Sequence, residues 1–216
     1  MSIESRGKQP PRPPAIPGFE HIRRTWNEAR CFYSARILPG EYFVTRSDEA
    51  VATTLGSCIA ACVRDKVAGI GGMNHFMLPA SGGGDSDAWK AAGLGEGTRY
   101  GNFAMEHLIN GILRNGGRRE NLEAKIFGGG RILANMTDVG MRNIQFVRDY
   151  IKAEKLRTVA EDVGGAYPRM VLYFPATGAA RVKRLRSLHN NVIASQEETY
   201  IESVASKPVT GDVELF

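Results

Sequence analysis

Two short apolar runs separated by a polar break constrain the fold of this chain more than any other feature. Residues 58–63 are apolar, residues 68–78 are mostly apolar or glycine, and Asp65-Lys-Val-Ala68 separates the two runs. Runs of this length suit buried strands, and the short break between them predicts a β-hairpin. If the loop has two residues, Asp65 pairs with Ala68, and the same register places Cys58 directly opposite His75.

The register of this hairpin decides whether a thiol and an imidazole meet. Directly opposed side chains on adjacent strands have Cβ atoms about 4.5–5.5 Å apart and share one face of the sheet. A four-residue loop with the same centre keeps Cys58 opposite His75, whereas a three-residue loop or a bulge turns them to opposite faces. Asp65-Lys-Val-Ala68 is a weak turn sequence, so the sequence leaves these registers open.

A cysteine beside a histidine is the arrangement that nucleophilic catalysis by a thiol requires. A free thiol has a pKa of about 8.5 and is mostly protonated at neutral pH, so an adjacent histidine must take its proton. Gly56 and Ser57 directly precede Cys58, and backbone amides there could bind the oxyanion of a tetrahedral intermediate. Thr53 and Thr54 are near enough in the sequence to orient the imidazole.

Two other interpretations of the cysteines stay open on the pattern alone. Free cysteine is among the most frequently buried residue types, so Cys58 could be a core residue, and we expect Cys62 to be one. A zinc site built from Cys58, Cys62 and His75 would lack a fourth ligand at a familiar spacing. We therefore expect neither a metal nor a cofactor.

Composition is that of an ordinary globular protein with one domain. The chain has 216 residues, a net charge of +5 and three cysteines, which are too few for a disulfide framework. No apolar run approaches the roughly 20 residues that span a bilayer, and the N-terminus lacks the apolar segment of a signal peptide. We therefore expect a cytoplasmic protein that does not insert into a membrane.

The densest basic cluster does not predict nucleic-acid binding. It consists of Arg181, Lys183, Arg184 and Arg186. These residues alternate with apolar positions, which is typical of a strand with one solvated face, and no base-reading motif or aromatic platform accompanies them. The positive net charge favours an acidic partner but does not identify one.

Proline and the hydrophobic pattern divide the chain into three parts. Residues 10–17 hold five of the ten prolines, so we expect residues 1–35 to form a Pro-rich, partly disordered arm. Residues 36–204 are expected to form the functional domain, and residues 205–216 a tail. Within the domain, strands are predicted at 41–45, 58–63, 68–78, 122–127, 158–163, 170–175 and 180–185, helices at 100–114, 139–155 and 190–204, and a loop at 81–97. This mixture predicts an α/β (α+β) layered single domain with mixed or antiparallel sheets and flanking helices.

Three consecutive glycines follow one of the predicted strands. Gly128-Gly129-Gly130 invites comparison with a phosphate-binding loop, but Arg131-Ile132 stands where such a loop requires lysine and then serine or threonine. We therefore expect a tight turn that lets two backbone segments pass close together beside the site.

Five sequence blocks extend the pattern around the cysteine and the histidine. They are Leu55-Gly-Ser-Cys58, His75-Phe-Met-Leu-Pro79, Ala124-Lys-Ile-Phe-Gly-Gly-Gly130, Val139-Gly-Met-Arg-Asn143 and Ala160-Glu-Asp-Val-Gly-Gly165. In this order, and over about residues 40–185, they resemble the CheD family of chemoreceptor glutamine deamidases. The resemblance implies a layered α/β fold similar to the deamidase domain of cytotoxic necrotizing factors.

The resemblance also implies a catalytic triad of cysteine, histidine and threonine. Cys58 and His75 match directly, and Thr53 is the expected third member, with Thr54 as the alternative. The implied activity is that of a protein-glutamine glutaminase, which converts glutamine side chains to glutamate and releases ammonia without a metal or cofactor. The implied substrates are the cytoplasmic domains of methyl-accepting chemoreceptors in bacterial chemotaxis.

The alternative is a non-catalytic adaptor. Some members of the family bind a chemotaxis phosphatase, so the chain could bind a receptor or a CheY-phosphatase partner while Cys58 is merely buried. Thiol reactivity separates the two hypotheses. A catalytic Cys58 is expected to alkylate faster near neutral pH than Cys31 or Cys62, whereas a buried structural cysteine resists until the chain unfolds.

Overall fold

The computed structural model describes residues 9–78, 96–132 and 139–185, together with residues 193, 195, 197, 199 and 200. These residues form strands, two long helices and a short 3₁₀ helix at Arg119–Asn121. The strands are β1 (Arg24–Asn27), β2 (Phe32–Arg36), β3 (Tyr42–Thr45), β4 (Glu49–Leu55), β5 (Ile59–Asp65), β6 (Gly71–Asn74), β7 (Leu122–Gly128), β8 (Arg157–Val163), β9 (Arg169–Phe174) and β10 (Ala179–Arg184). The helices are α1 (Glu96–Arg114) and α2 (Val139–Ala153).

The strands form two five-stranded mixed sheets. Sheet A has the order β1-β2-β4-β9-β10, and sheet B has the order β3-β6-β5-β7-β8. Most neighbours are antiparallel, while β2 and β4 are parallel, as are β7 and β8. Helix α1 packs on β3, β5 and β6, and α2 packs on β5, β7 and β8. The predicted α+β layered single domain is therefore confirmed.

One hydrophobic core joins the sheets and the helices. Side chains of sheet A such as Val51 and Val171 belong to the same buried cluster as Cys62 and Ile126 of sheet B and Val147 of α2. Sheet B therefore has apolar neighbours on both faces, which explains why β5 is a nearly continuous run of buried residues.

The outer face of sheet A is solvated. Strand β10 alternates between exposed and half-buried residues, with Arg181 and Lys183 exposed and Val182 half-buried. The prediction of a solvated basic strand face is confirmed for these residues. Arg186 lies outside the described residues.

The hairpin forms, but the predicted register is wrong by two residues. Cys62 pairs with Met73, and Val63 with Gly72, so Cys58 does not lie directly opposite His75. The Asp65 carboxylate causes the shift, because its Oδ1 accepts hydrogen bonds from the amides of Val67 (2.7 Å) and Ala68 (2.8 Å) inside a four-residue loop. A shift by two keeps Cys58 and His75 on one face as diagonal neighbours.

The predicted strands and helices all correspond to observed elements, although their bounds differ. The strand predicted at 68–78 is shorter, since β6 covers Gly71–Asn74. Within the predicted helix at 190–204, the described residues 193, 195, 197, 199 and 200 are helical. Of the loop predicted at 81–97, residues 81–95 lie outside the described residues and α1 begins at Glu96.

Three strands were not predicted. Strand β4 carries Thr53 and Thr54, whereas β1 and most of β2 lie in the range expected to be an arm. In that range Phe19 and Ile22 are also buried. The division into residues 1–35, 36–204 and 205–216 stays a prediction. Among the described residues, no helix has the length and apolar character needed to cross a membrane.

Candidate active site

The turn that carries Cys58 connects the two sheets. Strand β4 of sheet A ends at Leu55, Gly56 and Ser57 make the turn, and Cys58 directly precedes β5 of sheet B. The Cys58 side chain is fully buried. A Cβ atom at Gly56 would lie 2.0 Å from Cδ1 of Ile132, so this position has no room for a side chain.

The Gly128–Gly130 loop fixes the backbone of that turn. The Gly129 amide donates to the Cys58 carbonyl at 2.8 Å, and the Gly130 amide donates to the Gly56 carbonyl at 2.7 Å. A Cβ at Gly128, whose φ is +114°, would lie 2.1 Å from the Cys58 carbonyl oxygen. The prediction that these glycines let two backbone segments pass close together is confirmed, although Gly128 ends strand β7 and is not part of a turn.

Asn143 of α2 links the turn to the segment that follows His75. Its buried side-chain amide donates to the Ser57 carbonyl at 2.8 Å, and its Oδ1 accepts from the Leu78 amide at 2.9 Å. The sequence blocks include Asn143, but no pattern in the sequence assigns it this role.

Thr53 contacts His75 and settles the tautomer of the imidazole. The Thr53 hydroxyl donates its one proton to the Ile37 carbonyl at 2.9 Å, so it can only accept at its 2.8 Å contact with Nδ1 of His75. Nδ1 therefore carries the proton, and Nε2 keeps a free lone pair. Nε2 is buried and has no hydrogen-bond partner among the described residues.

Thr54 points away from this contact. It follows Thr53 on β4, and successive side chains on a strand lie on opposite faces of the sheet. Thr53 is buried, whereas Thr54 is partly exposed. Of the two candidates, it is Thr53 that hydrogen-bonds to His75.

The structure brings Cys58 and His75 together and adds a third group, Glu197. The Cys58 sulfur, a ring nitrogen of His75 and a carboxylate oxygen of Glu197 all lie within 4.8 Å of one another. All three residues are buried. Because Nδ1 is engaged by Thr53, the free Nε2 is the nitrogen available to the thiol.

The Glu197 carboxylate fills the predicted oxyanion site. Its Oε1 accepts from the amides of Gly56 (2.9 Å) and Cys58 (3.1 Å). Its Oε2 accepts from the Ser57 amide (2.9 Å) and the Ser57 hydroxyl (2.6 Å). The backbone amides around Cys58 therefore converge on one carboxylate, as donors for an oxyanion would.

Burial keeps both Cys58 and His75 neutral near pH 7. It lowers the pKa of His75 to about 4, with the nearby Glu197 carboxylate opposing the shift. Burial, and then the Glu197 carboxylate, raise the pKa of the Cys58 thiol. The site therefore holds a neutral thiol beside a neutral imidazole.

The zinc set considered from the sequence does not assemble. Cys62 lies four residues beyond Cys58, which on an extended strand is about 13 Å. Among the described residues, Glu197 rather than Cys62 joins Cys58 and His75 in a cluster that could hold a metal. The two oxygens of the Glu197 carboxylate already accept four hydrogen bonds from residues 56–58. The cluster also offers three ligands, whereas a structural zinc site has four.

Glu197 was missed because the predicted C-terminal helix was assigned no role. The sequence does carry a signal, since Ile193 and Tyr200 stand four residues before and three after Glu197. In a helix these positions share one face, so a carboxylate lies on an apolar stripe. A charge in such a position predicts a buried polar contact.

A family model and individual relatives of this chain point to the same protein family. Residues 77–184 match the family model described as CheD chemotactic sensory transduction, a span that begins just after His75. A protein of Halorhodospira halophila, named "Probable chemoreceptor glutamine deamidase CheD", is 52% identical over 204 residues, which is 94% of each chain. A protein of Hydrogenovibrio crunogenus with the same name is 53% identical over 195 residues, covering 90% of this chain and 100% of its own. Identity at this level over nearly the whole length shows that the chain belongs to the CheD family.

Proposed function

We propose that this chain deamidates glutamine side chains of chemoreceptors, with Cys58 as nucleophile and His75 as base. The observation that carries the proposal is the convergence of three backbone amides and the Ser57 hydroxyl on a carboxylate beside Cys58. Donors in that arrangement stabilise the oxyanion of an amide undergoing attack. The names of the relatives from Halorhodospira halophila and Hydrogenovibrio crunogenus agree with this chemistry.

The reaction begins when Nε2 of His75 takes the proton of the Cys58 thiol. The thiolate attacks the side-chain carbonyl carbon of a glutamine, and the amides of Gly56 and Cys58 stabilise the resulting oxyanion. His75 then donates its proton to the amide nitrogen, the carbon–nitrogen bond breaks, and ammonia leaves behind a thioester.

Hydrolysis of the thioester completes the cycle. His75 removes a proton from water, the hydroxide attacks the thioester carbon, and the carbon–sulfur bond breaks to release glutamate and restore the thiol. Throughout, Thr53 holds the protonated Nδ1 so that Nε2 remains the basic nitrogen, which is the function of the third member of a triad. One water is consumed for each ammonia released.

The proposed substrates are the cytoplasmic domains of methyl-accepting chemoreceptors, which places the reaction in the cytoplasm. The net charge of +5 supports this proposal, because it favours encounter with an acidic surface. Binding to a chemotaxis phosphatase, which the family resemblance implies, is proposed as a second interaction.

Mass spectrometry of a purified receptor cytoplasmic domain tests the function. Each converted glutamine gains about 1 Da, because an amide NH₂ is replaced by OH. The full-length protein and a Cys62→Ala variant are expected to convert glutamines, whereas Cys58→Ala is not. Cys62→Ala is the matched control, since it removes another buried thiol from the same hairpin. Conversion by Cys58→Ala at the native rate would overturn the assignment of the nucleophile.

A further inference from the structure

The Glu197 side chain is buried in the site, although it comes from a distant part of the chain. Glu197 is 2% exposed, and more than a hundred residues separate it in the sequence from the amides that its carboxylate contacts. We call residues 193, 195, 197, 199 and 200 the C-terminal segment; these are the residues that the structure describes in this part of the chain, and all are helical. Within the described residues, the hydrogen bonds to its carboxylate come from three amides and one hydroxyl rather than from a cation.

This carboxylate has the chemistry of the reaction product. Hydrolysis of a glutamine side chain leaves a glutamate carboxylate beside the cysteine and the histidine. Glu197 presents that group within 4.8 Å of both. One of its oxygens occupies the position between the Gly56 and Cys58 amides, and the other contacts both donors of Ser57.

The rest of the C-terminal segment is seated around the same site. Ile193 is 7% exposed, and the Tyr200 hydroxyl contacts the hydroxyl of Tyr100. Tyr200 also lies against Gly40, where a Cβ would come within 2.9 Å of its hydroxyl. The Gly40 amide in turn donates to the His75 carbonyl at 2.7 Å. The segment thus contacts backbone on the cysteine side and on the histidine side.

We propose that the amides of residues 56–58 and the Ser57 hydroxyl form a carboxylate-binding subsite that holds the chain's own Glu197 as a product mimic. In this state the C-terminal segment blocks Cys58, and a substrate glutamine must displace Glu197 to react. The inference rests on the proposed function for the identity of the substrate, whereas the blocking of Cys58 is tested without it.

The block acts chemically as well as sterically. The carboxylate already accepts from the donors that would stabilise an oxyanion. The negative charge that forms on the substrate carbonyl oxygen during attack by the thiolate therefore lacks hydrogen-bond donors. It also raises the pKa of the Cys58 thiol, because a negative charge beside the sulfur opposes a second one. Removing the carboxylate should therefore make Cys58 both more accessible and more acidic.

The first test measures alkylation of each cysteine by iodoacetamide near neutral pH, followed by peptide mapping. In the full-length protein, exposed Cys31 is expected to react before Cys58, the reverse of the order expected from the sequence for a catalytic thiol, because Cys58 is buried beside Glu197. Glu197→Ala is expected to raise the Cys58 rate at least about tenfold, because the carboxylate no longer covers the sulfur and its charge no longer opposes formation of the thiolate. Thr199→Ala, an exposed position of the same segment, is the matched control and should leave the rate unchanged. An unchanged Cys58 rate in Glu197→Ala would overturn the proposal.

The second test asks whether the subsite treats position 197 as substrate. In a Glu197→Gln variant, the introduced glutamine should be converted to glutamate by the chain itself, with a gain of about 1 Da in the peptide that contains position 197. A Glu197→Gln, Cys58→Ala double variant should keep its glutamine. Conversion in the single variant alone supports both the subsite and the nucleophile.

The remaining outcomes separate the two proposals. If alkylation rises in both Glu197 variants but the glutamine at 197 and receptor glutamines all stay intact, the block stands and the amide chemistry is wrong. If receptor glutamines are converted equally by the native chain and by Glu197→Ala, and Cys58 alkylation does not change, the deamidase stands and the block is overturned.

Discussion

The two sheets differ in how much of their surface is covered, and this difference determines what each contributes to the site. Sheet B lies between sheet A and the two helices, and β5 is almost entirely buried. Sheet A has a solvated outer face, where Met170 is 43% exposed. Cys58 and His75 lie on the strands and turns of sheet B, whereas Thr53 comes from β4 of sheet A.

A site at the junction of two such sheets combines burial with support from a second element. The covered sheet excludes water from the thiol and the imidazole, which strengthens their interaction with nearby charges. The other sheet supplies the hydroxyl that fixes the imidazole tautomer. Changes on the covered side of the molecule should therefore cost more than changes on the outer face of sheet A.

The largest loss of stability is expected for Asn143→Ala on the covered side of sheet B. This change removes two buried hydrogen bonds and leaves the Ser57 carbonyl and the Leu78 amide without that partner. Unsatisfied buried groups cost about 1–3 kcal/mol each, so we expect the free energy of unfolding to fall by about 3 kcal/mol. Urea denaturation measures it, with exposed Gln145→Ala of the same helix as the control. A loss no greater than that of the control would contradict the assigned role of Asn143.

A smaller effect is expected from pH, through His75. Its pKa is about 4 in the folded chain and 6.5 in the unfolded chain, so unfolding takes up a proton between these values. The stabilisation is complete above about pH 6.5 and is lost as the pH falls towards 4. Between about pH 7.5 and about pH 5 the loss should be roughly 2 kcal/mol.

Comparison with a His75→Gln variant isolates this contribution. The native chain should lose roughly 2 kcal/mol more than the variant over the same pH interval, because the variant has no imidazole to protonate. Denaturant titrations of both proteins at each pH give the difference. Identical pH dependence in the two proteins would show that His75 is not held neutral by burial.

A pair of threonine substitutions tests the contribution of sheet A to the site. Thr53→Val removes the acceptor for Nδ1 of His75 and is expected to lower kcat about tenfold with little change in KM. Thr54→Val, on the opposite face of the same strand, should leave kcat unchanged, and Thr53→Ser should restore it. Receptor deamidation measured with all three variants decides the matter. Equal losses for Thr53→Val and Thr54→Val would indicate a general defect of β4 instead.

The smallest effect is expected on the outer face of sheet A. Lys183 is exposed on β10, so Lys183→Ala should change the free energy of unfolding by less than about 0.5 kcal/mol. Thermal or urea denaturation measures it against the native chain. A loss comparable to that of Asn143→Ala would remove the distinction between the two sheets.

The same difference explains in part which strands could be predicted from the sequence. All five strands of sheet B were predicted, and β5, for example, is a nearly continuous apolar run that ends at a polar break. In sheet A, β1, β2 and β4 were missed. Strand β1, for example, is Arg24-Thr-Trp-Asn27, whose residues are exposed or half-buried, so it has no apolar run to recognise.

The site was predictable to the extent that it is local in the sequence. The proximity of Cys58, His75 and the amides of residues 56–58 follows from one hairpin and the turn before it, even though the register was wrong by two residues. The choice between Thr53 and Thr54 required the pairing of an unpredicted strand. The spacing of Ile193, Glu197 and Tyr200 signals a buried carboxylate, but the groups that this carboxylate contacts depend on tertiary packing across the chain.

The close approach of Gly128 to the Cys58 carbonyl has a consequence for mutational scanning. Even alanine at Gly128 would place its Cβ 2.1 Å from that oxygen, and alanine at Gly140 would place one 2.7 Å from the Gly129 carbonyl oxygen. No chemistry is assigned to these glycines, yet a saturation library should tolerate substitutions at them as poorly as at Cys58, the proposed nucleophile. Intolerance to substitution alone would therefore not separate catalytic positions from the backbone that holds them, and thiol labelling would have to accompany such a scan.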